Sequence, residues 1–194
     1  MIKNHDRSGW FGASDTYTIM CAGRNTESFA KWWAQKLGIT HNGFTTTAMA
    51  AGTAYEHRIL DALGIRKKDR QIKIRRLRLR VNLDGEDKYT VHEVKTHSAD
   101  KPFTVSRAYW MQCQVEMFVT GKKNVIDAYA LLPEDYENYY NPIEMDRLQQ
   151  IPIEYDEKWV HTEYLPELMY FAECLRKRII PEDRHDGSKD TRKL

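Results

Sequence analysis

The chain has 194 residues, 41% hydrophobic and 30% charged, with a net charge of only +2. That suffices for one core and excludes a uniform polycation, so any attraction for an anionic partner must be local. Cys21, Cys113 and Cys174 lie far apart with no CxxC, which argues against a disulfide framework, a zinc centre or an iron–sulfur centre and for reduced thiols in cytosol.

In chain order, Ser14 to Ala22 reads as a short helix with Ser14 as N-cap and Gly23 near its stop. Glu27 to Leu37 reads as a second, capped by Asn25 or Thr26 and stopped by Gly38, with Trp32 and Trp33 in the core. Thr46 to Leu63 forms a longer helix ending at Gly64. Gln71 to Leu83 alternates Ile72, Ile74, Leu77, Leu79 and Val81 with basic residues, a strand with one slip at Arg75-Arg76 that would suit a bulge. Tyr89 to Thr96 is a strand and Ser106 to Thr120 a helix stopped by Gly121. Val125 to Leu132 and Ile151 to Tyr155 are strands; Thr162 to Ile179 is a final helix with Pro166 in its first turn. The expected architecture is α/β (α+β): one domain over residues 1–180, helices flanking a small central sheet. A polar tail, 181–194, is expected to be disordered. There is no apolar run of membrane-spanning length, no signal-peptide core and no GxxxxGK[ST], so neither a membrane protein nor an ATP motor is expected.

Charge is concentrated in one place. Nine of the fifteen residues from Arg66 to Arg80 are Lys or Arg, and this run leads into Asp84 and then Glu93-Val94-Lys95. Glu93 and Lys95, two apart on a strand, project from one face. A tight turn at Asp84-Gly85-Glu86-Asp87 would leave Asp84 roughly 10 Å or more from Glu93 along the strand. A longer or bulged loop over 85–89 is therefore expected, bringing the two carboxylates together. Glu56 falls inside the apolar stripe of its helix, where an ionised carboxylate is costly unless paired or metal-bound. It either pairs with Arg58 or a strand arginine, or holds a metal. Mg²⁺ needs only one or two carboxylates beside phosphate oxygens and water. By itself the acid–x–lysine pair reads better as a surface salt bridge.

Four segments in one order shift that balance: Arg7 to Met20 (RSGWFGASDTYTIM), Ala48 to Glu56 (AMAAGTAYE), NLDG…HEVKT, and Tyr109 to Gly121 (YWMQCQVEMFVTG). Together they resemble the lambda-exonuclease-type (YqaJ-like) viral recombinase family of the PD-(D/E)xK nuclease superfamily, over residues 7 to about 132. One departure is Leu83, where the superfamily often has Pro before the Asp. The resemblance implies a restriction-endonuclease-like core with a small mixed sheet. It implies Glu56, Asp84 and Glu93 as metal-site acids with the Val94 carbonyl, for two Mg²⁺ or Mn²⁺ ions. Lys95 would be the catalytic lysine and Gln112 its support, although Gln112 also reads as a buried amide. Gln114 lies on another helix face. Arg7 and Ser14 would grip a DNA 5′-phosphate; Ser14 also reads as an ordinary N-cap.

The implied activity is metal-dependent, ATP-independent digestion of linear double-stranded DNA, 5′ to 3′, leaving 3′ single strands for a phage single-strand annealing protein in the bacterial cytoplasm. A homo-oligomer, in the family often a ring trimer, is part of that expectation. A nicking or structure-specific endonuclease and an inactive DNA-binding module are the alternatives; the intact acids and lysine argue against the last. Arg75, Arg76, Arg78 and Arg80 form either a phosphate track or a solvated strand face. Tyr136, Tyr139, Tyr140 and Trp159, in acidic surroundings, read as packing or interface residues, and His57, His92 and His97 as structural groups rather than ligands.

Overall fold

The computed structural model describes residues 7–40 and 45–183. Among these, five strands form one sheet in the order β1-β2-β3-β4-β5: β1 Lys67–Ile74, β2 Leu79–Glu86, β3 Thr90–Ser98, β4 Lys123–Leu131 and β5 Leu148–Ile153. Neighbours are antiparallel except β3 and β4, which run parallel and are joined through helix α4, Arg107–Thr120. A parallel pair requires such a crossover. Helix α3, Thr47–Ala62, packs Tyr55, Ile59 and Leu60 against Val94, Tyr129 and Leu131. Helix α4 packs Cys113 and Met117 against Ile126 and Ala128, the alternate positions of β4. The sheet is thus clad by helices, as expected.

A separate aromatic core holds the N-terminal part in place. Helices α1 (Thr16–Cys21), α2 (Glu27–Lys36) and α6 (Leu165–Lys177) gather around Phe11, and its ring lies 5.9–6.2 Å from those of Trp32, Trp33 and Phe171. These rings pack with Leu79, Val81 and Leu83 of β2. Helix starts follow the capping residues. Thr26, Thr46 and Ser106 accept from the backbone N–H groups of Phe29, Met49 and Tyr109, and Gly121 at φ 66° ends α4.

Four local expectations are corrected. The slip at Arg75-Arg76 is a chain reversal, not a bulge. Arg75–Leu77 forms a 3-10 turn, Arg78 adopts φ 51°, and Ile74 pairs with Leu79, so the expected strand is the hairpin β1–β2. Ser14 is not an N-cap: it lies inside a 3-10 turn, Ala13–Asp15, whose preceding residue is Gly12. The last helix begins earlier, at α5 (Glu157–Trp159), and passes through a π turn, Val160–Tyr164, before α6. Pro166 follows it in the first turn of α6, where a missing N–H is tolerated. The first residues of the expected tail are anchored: Glu182 N donates to Tyr170 Oη at 2.9 Å and Arg24 donates to Glu182 O. The rest of that tail, 184–194, lies outside the described residues.

Candidate active site

The site opens where β2 and β3 part. They pair only through Gly85↔His92 and Glu86↔Val91. The turn between them is tighter than the expected 85–89 loop: Asp87 N donates to Thr90 O at 2.9 Å, and Asp87 Oδ1 accepts from Tyr89 N and Thr90 N at 2.7 Å. This register puts Asp84 across from Glu93. Gly85 is not a turn residue. It sits in β2 beneath α3, where a Cβ would lie 2.6 Å from Leu60 Cδ2.

Beyond Gly85 the ladder ends, and Asp84 Oδ2 accepts from Val94 N at 3.0 Å. On its other side the ladder skips from Lys68↔Gly85 to Arg70↔Leu83, and Asp69, opposite Asp84, takes φ 57°. Backbone groups of β2 freed by this parting need partners. The N-terminal segment supplies them: Phe11 N donates to Arg78 O and Arg80 N to Phe11 O, each at 2.7 Å. That graft lays the turn carrying Ser14 beside the gap.

The result is a cleft of about 450 Å³ lined from both sides of β3, by Glu93 and Lys95 and by Val94 and Thr96. From β2 come Arg80, Asn82 and Asp84, at alternate positions and hence on one strand face. Glu56, Gly52 and Met49 of α3, Gln112 of α4, and Arg7, Trp10 and Ser14 complete it. Gly52 permits the close approach of α3, because a Cβ there would lie 3.3 Å from Thr96 Oγ1. Arg7 Nη1 donates to Ser14 Oγ at 3.4 Å.

Glu93, 2% exposed, accepts on Oε1 from Lys95 Nζ at 2.5 Å and Gln112 Nε2 at 2.6 Å. Its Oε2 is buried with no hydrogen-bond partner among the described residues. Burial, then Glu93 and Glu56, push the Asp84 carboxyl well above its ordinary value, although part of its residue surface still faces the cleft. Burial also raises Glu56, with Glu93 and Asp69 adding to it against His57 and Lys95. For Lys95, burial works against the ammonium, but Glu93, Asp84 and Glu116 outweigh it and hold the group above its ordinary value. Several carboxylates thus crowd one lysine, and one carboxylate oxygen is unmatched. The donors are all hard oxygens, so the set fits Mg²⁺ or Mn²⁺.

A second grouping lies at the rim. Ligand atoms of Glu56, His57 and Asp69 fall within 4.8 Å of one another, with His57 Nε2 3.1 Å from Asp69 Oδ2 and 3.9 Å from Glu56 Oε1. The expected Glu56–Arg58 pairing is absent among the described contacts: Arg58 donates instead to the carbonyls of Tyr139 and Asn141.

The four arginines do not form one track. Arg80 is buried in the cleft wall, whereas Arg75 and Arg76 are exposed on the turn at the other end of the hairpin, and Arg78 caps that turn. Gln114 is wholly buried away from the cleft; it donates to Glu154 O at 2.8 Å and accepts from Asp156 N at 2.7 Å. His92 is a strut to Asp127, 2.8 Å away, and His97 contacts the Ser98 and Lys101 carbonyls. Tyr136 and Tyr139 pack on the α3 cluster, Trp159 against Trp110 and Tyr164, while Tyr140 is 88% exposed. Sequence reasoning missed Asn82, Trp10 and Glu116. Asn82 was legible as the residue two before Asp84, and Glu116 as a lone acid four residues after Gln112 in an apolar stretch.

No protein-family model and no curated protein matches the chain. Solved structures do. LHK-Exo, an alkaline exonuclease from Laribacter hongkongensis, matches in its complex with dAMP at TM-score 0.63 and 21% identity, covering 89% of this chain and 90% of that one. A second LHK-Exo structure matches at TM-score 0.58 and 21% identity, over 89% and 94%. A phage related exonuclease from Haemophilus somnus 129PT matches at TM-score 0.62 and 12% identity, over 87% and 94%. The chain therefore has the fold of these exonucleases, the fold that its sequence resemblance implies. No helix among the described residues is long and apolar enough to cross a membrane.

Proposed function

We propose that the protein is a Mg²⁺- or Mn²⁺-dependent, ATP-independent exonuclease on linear double-stranded DNA, digesting 5′ to 3′ and leaving 3′ single strands for a phage annealing protein. One observation carries this reading. A single cleft joins the crowded acids and Lys95 to a cationic wall of Arg7 and Arg80 with the Ser14 hydroxyl. The shared fold with exonucleases, one of them solved with the deoxynucleotide dAMP, supports it.

Asp84 and Glu93, with the Val94 carbonyl and Glu56, would hold two ions. Bound there, the metal supplies polarisation of a phosphoryl oxygen and a water of lowered pKa. The protein's own groups do the rest. Lys95, in contact with Glu93 at 2.5 Å, orients the attacking water and offsets charge growing on the phosphoryl oxygens. Gln112 donates to Glu93 and keeps that carboxylate in place, while its carbonyl faces Lys95. Arg7 and Ser14 hold the terminal 5′-phosphate, and Arg80 grips a phosphate nearer the acids. Arg75, Arg76 and Arg78 are left for backbone contacts outside the cleft. A closed ring of copies, three by the resemblance, would keep the enzyme on its duplex without ATP.

The test is digestion of a 5′-phosphorylated linear duplex with Mg²⁺. EDTA should stop it, closed circular DNA should survive it, and Lys95→Ala should slow it about 10²–10³-fold, the usual cost of one transition-state donor. Digestion by Lys95→Ala at the wild-type rate would show that the chemistry lies elsewhere; cutting of closed circles would favour an endonuclease.

A further inference from the structure

We infer that Glu116, held by Asn124, is a positioning residue: it decides which way the Gln112 amide faces, and through that amide sets the Glu93 carboxylate and the Lys95 ammonium. This role rests on the nuclease reading above. A glutamine amide carries two donors on its nitrogen and an acceptor on its oxygen, and a half-turn of the group exchanges them. Gln112 Nε2 gives its hydrogens to two carboxylates, Glu93 Oε1 at 2.6 Å and Glu116 Oε1 at 2.9 Å. Its oxygen faces Lys95 Nζ at 3.4 Å, a long contact and a weak hold. Reversed, the carbonyl would meet two carboxylate oxygens at once. Glu116 thus adds to the preference for the orientation that serves Glu93.

Glu116 is itself held on both oxygens. It is 0% exposed, one turn along α4 from Gln112, and its Oε2 accepts from Asn124 Nδ2 at 2.7 Å. Asn124 is 2% exposed and locked into β4 between Val91 of β3 and Ile153 of β5. A continuous series of hydrogen bonds therefore runs from the sheet centre through Asn124, Glu116 and Gln112 to Glu93 of β3. Supporting groups of this kind commonly change activity or metal affinity about 10–100-fold when removed.

The experiment compares Glu116→Leu, Glu116→Gln and Asn124→Ala with wild type, measuring melting temperature, kcat and KM on a 5′-phosphorylated duplex, and Mn²⁺ binding by calorimetry. Glu116→Leu should lower kcat about 10–100-fold and weaken Mn²⁺ binding, with KM for DNA unchanged. Glu116→Gln should restore most of both, because its carbonyl can take the Gln112 hydrogen while its amide donates to a turned Asn124. Asn124→Ala should move kcat the same way by less, and it serves if the leucine variant fails to fold. Wild-type kcat and Mn²⁺ affinity in folded Glu116→Leu, or in Asn124→Ala where that variant must stand in, would overturn the role. So would a Glu116→Gln variant no better than Glu116→Leu. If wild type binds Mn²⁺ but cuts no DNA, the nuclease reading falls; the Mn²⁺ arm then decides separately whether Glu116 sets Glu93.

Discussion

Gly85→Ala tests how the site is held together. The added methyl would lie 2.6 Å from Leu60 Cδ2, 3.0 Å from Ile65 Cγ2 and 3.2 Å from Leu60 Cδ1. Carbon atoms prefer roughly 3.5–4.0 Å, so the nearest contact is about 1 Å too close. Leu60 is 0% exposed and packed with Tyr55 and Ile59, so it cannot swing into solvent. Overpacking of this size costs about 1–3 kcal/mol. In a chain of this length, about 2 kcal/mol lowers the melting temperature by roughly 4–8 °C. Relief comes by pushing α3 off β2, which separates Glu56, one turn before Leu60, from Asp84, the neighbour of Gly85. Nuclease activity should therefore fall even well below the melting point. Thermal melting by circular dichroism, in a cycle with Leu60→Ala, isolates the contact. The single Leu60→Ala change leaves a cavity that the new methyl partly fills, so the double variant should be about 0.5–3 kcal/mol more stable than the sum. Strict additivity, or an unchanged melting temperature for Gly85→Ala, would refute the packing argument.

Three further outcomes are expected. Arg7→Ala should erase the preference for 5′-phosphorylated over 5′-hydroxyl ends in a digestion assay; an unchanged ratio would remove Arg7 from the phosphate grip. Gln114→Ala should cost about 1–3 kcal/mol in a urea melt by stranding two backbone groups, yet leave kcat intact, whereas Gln112→Ala should lose kcat. Asp135 is buried, which alone would raise its carboxyl, but Asn141, Leu132 N, Arg147 and Tyr55 donate to it and hold it down at about 2. A folded value below the unfolded one of about 3.9 means stability that is full above pH ~4 and lost as pH falls toward 2, about 2–3 kcal/mol in all. Urea midpoints between pH 5 and pH 2 should thus fall less steeply for Asp135→Asn than for wild type; parallel slopes would contradict it.

Much of the fold was legible in the residues. Helices announced themselves by caps that work locally, such as Thr26, Thr46 and Ser106, and by Gly121 at a left-handed stop. The hairpin β1–β2 was not, because Arg75-Arg76-Leu77-Arg78 contains no glycine, proline or asparagine to mark a turn, and Arg78 takes its positive φ unannounced. Gly85 misled in the opposite sense: it resembles a turn residue, but its freedom from a side chain answers a helix lying on top of it.

The sequence by itself determined how groups within one element stand to one another. Acid and lysine two apart on β3 must share a face, and the glutamines at 112 and 114 must point apart on a helix. Those relations follow from strand and helix periods within one element. Tertiary structure alone decided how the elements meet. The parting of β2 from β3 after a two-pair ladder, and the grafting of Phe11 onto the freed edge, bring Arg7, Ser14 and Arg80 to the acids while the hairpin turn carries Arg75 and Arg76 away. Likewise only packing shows that Glu116 stands behind Gln112, on an asparagine from another element. Periodicity along one element carries no record of what lies across the gap. That depends on where unmatched backbone and buried charge, contributed by distant segments, find their partners.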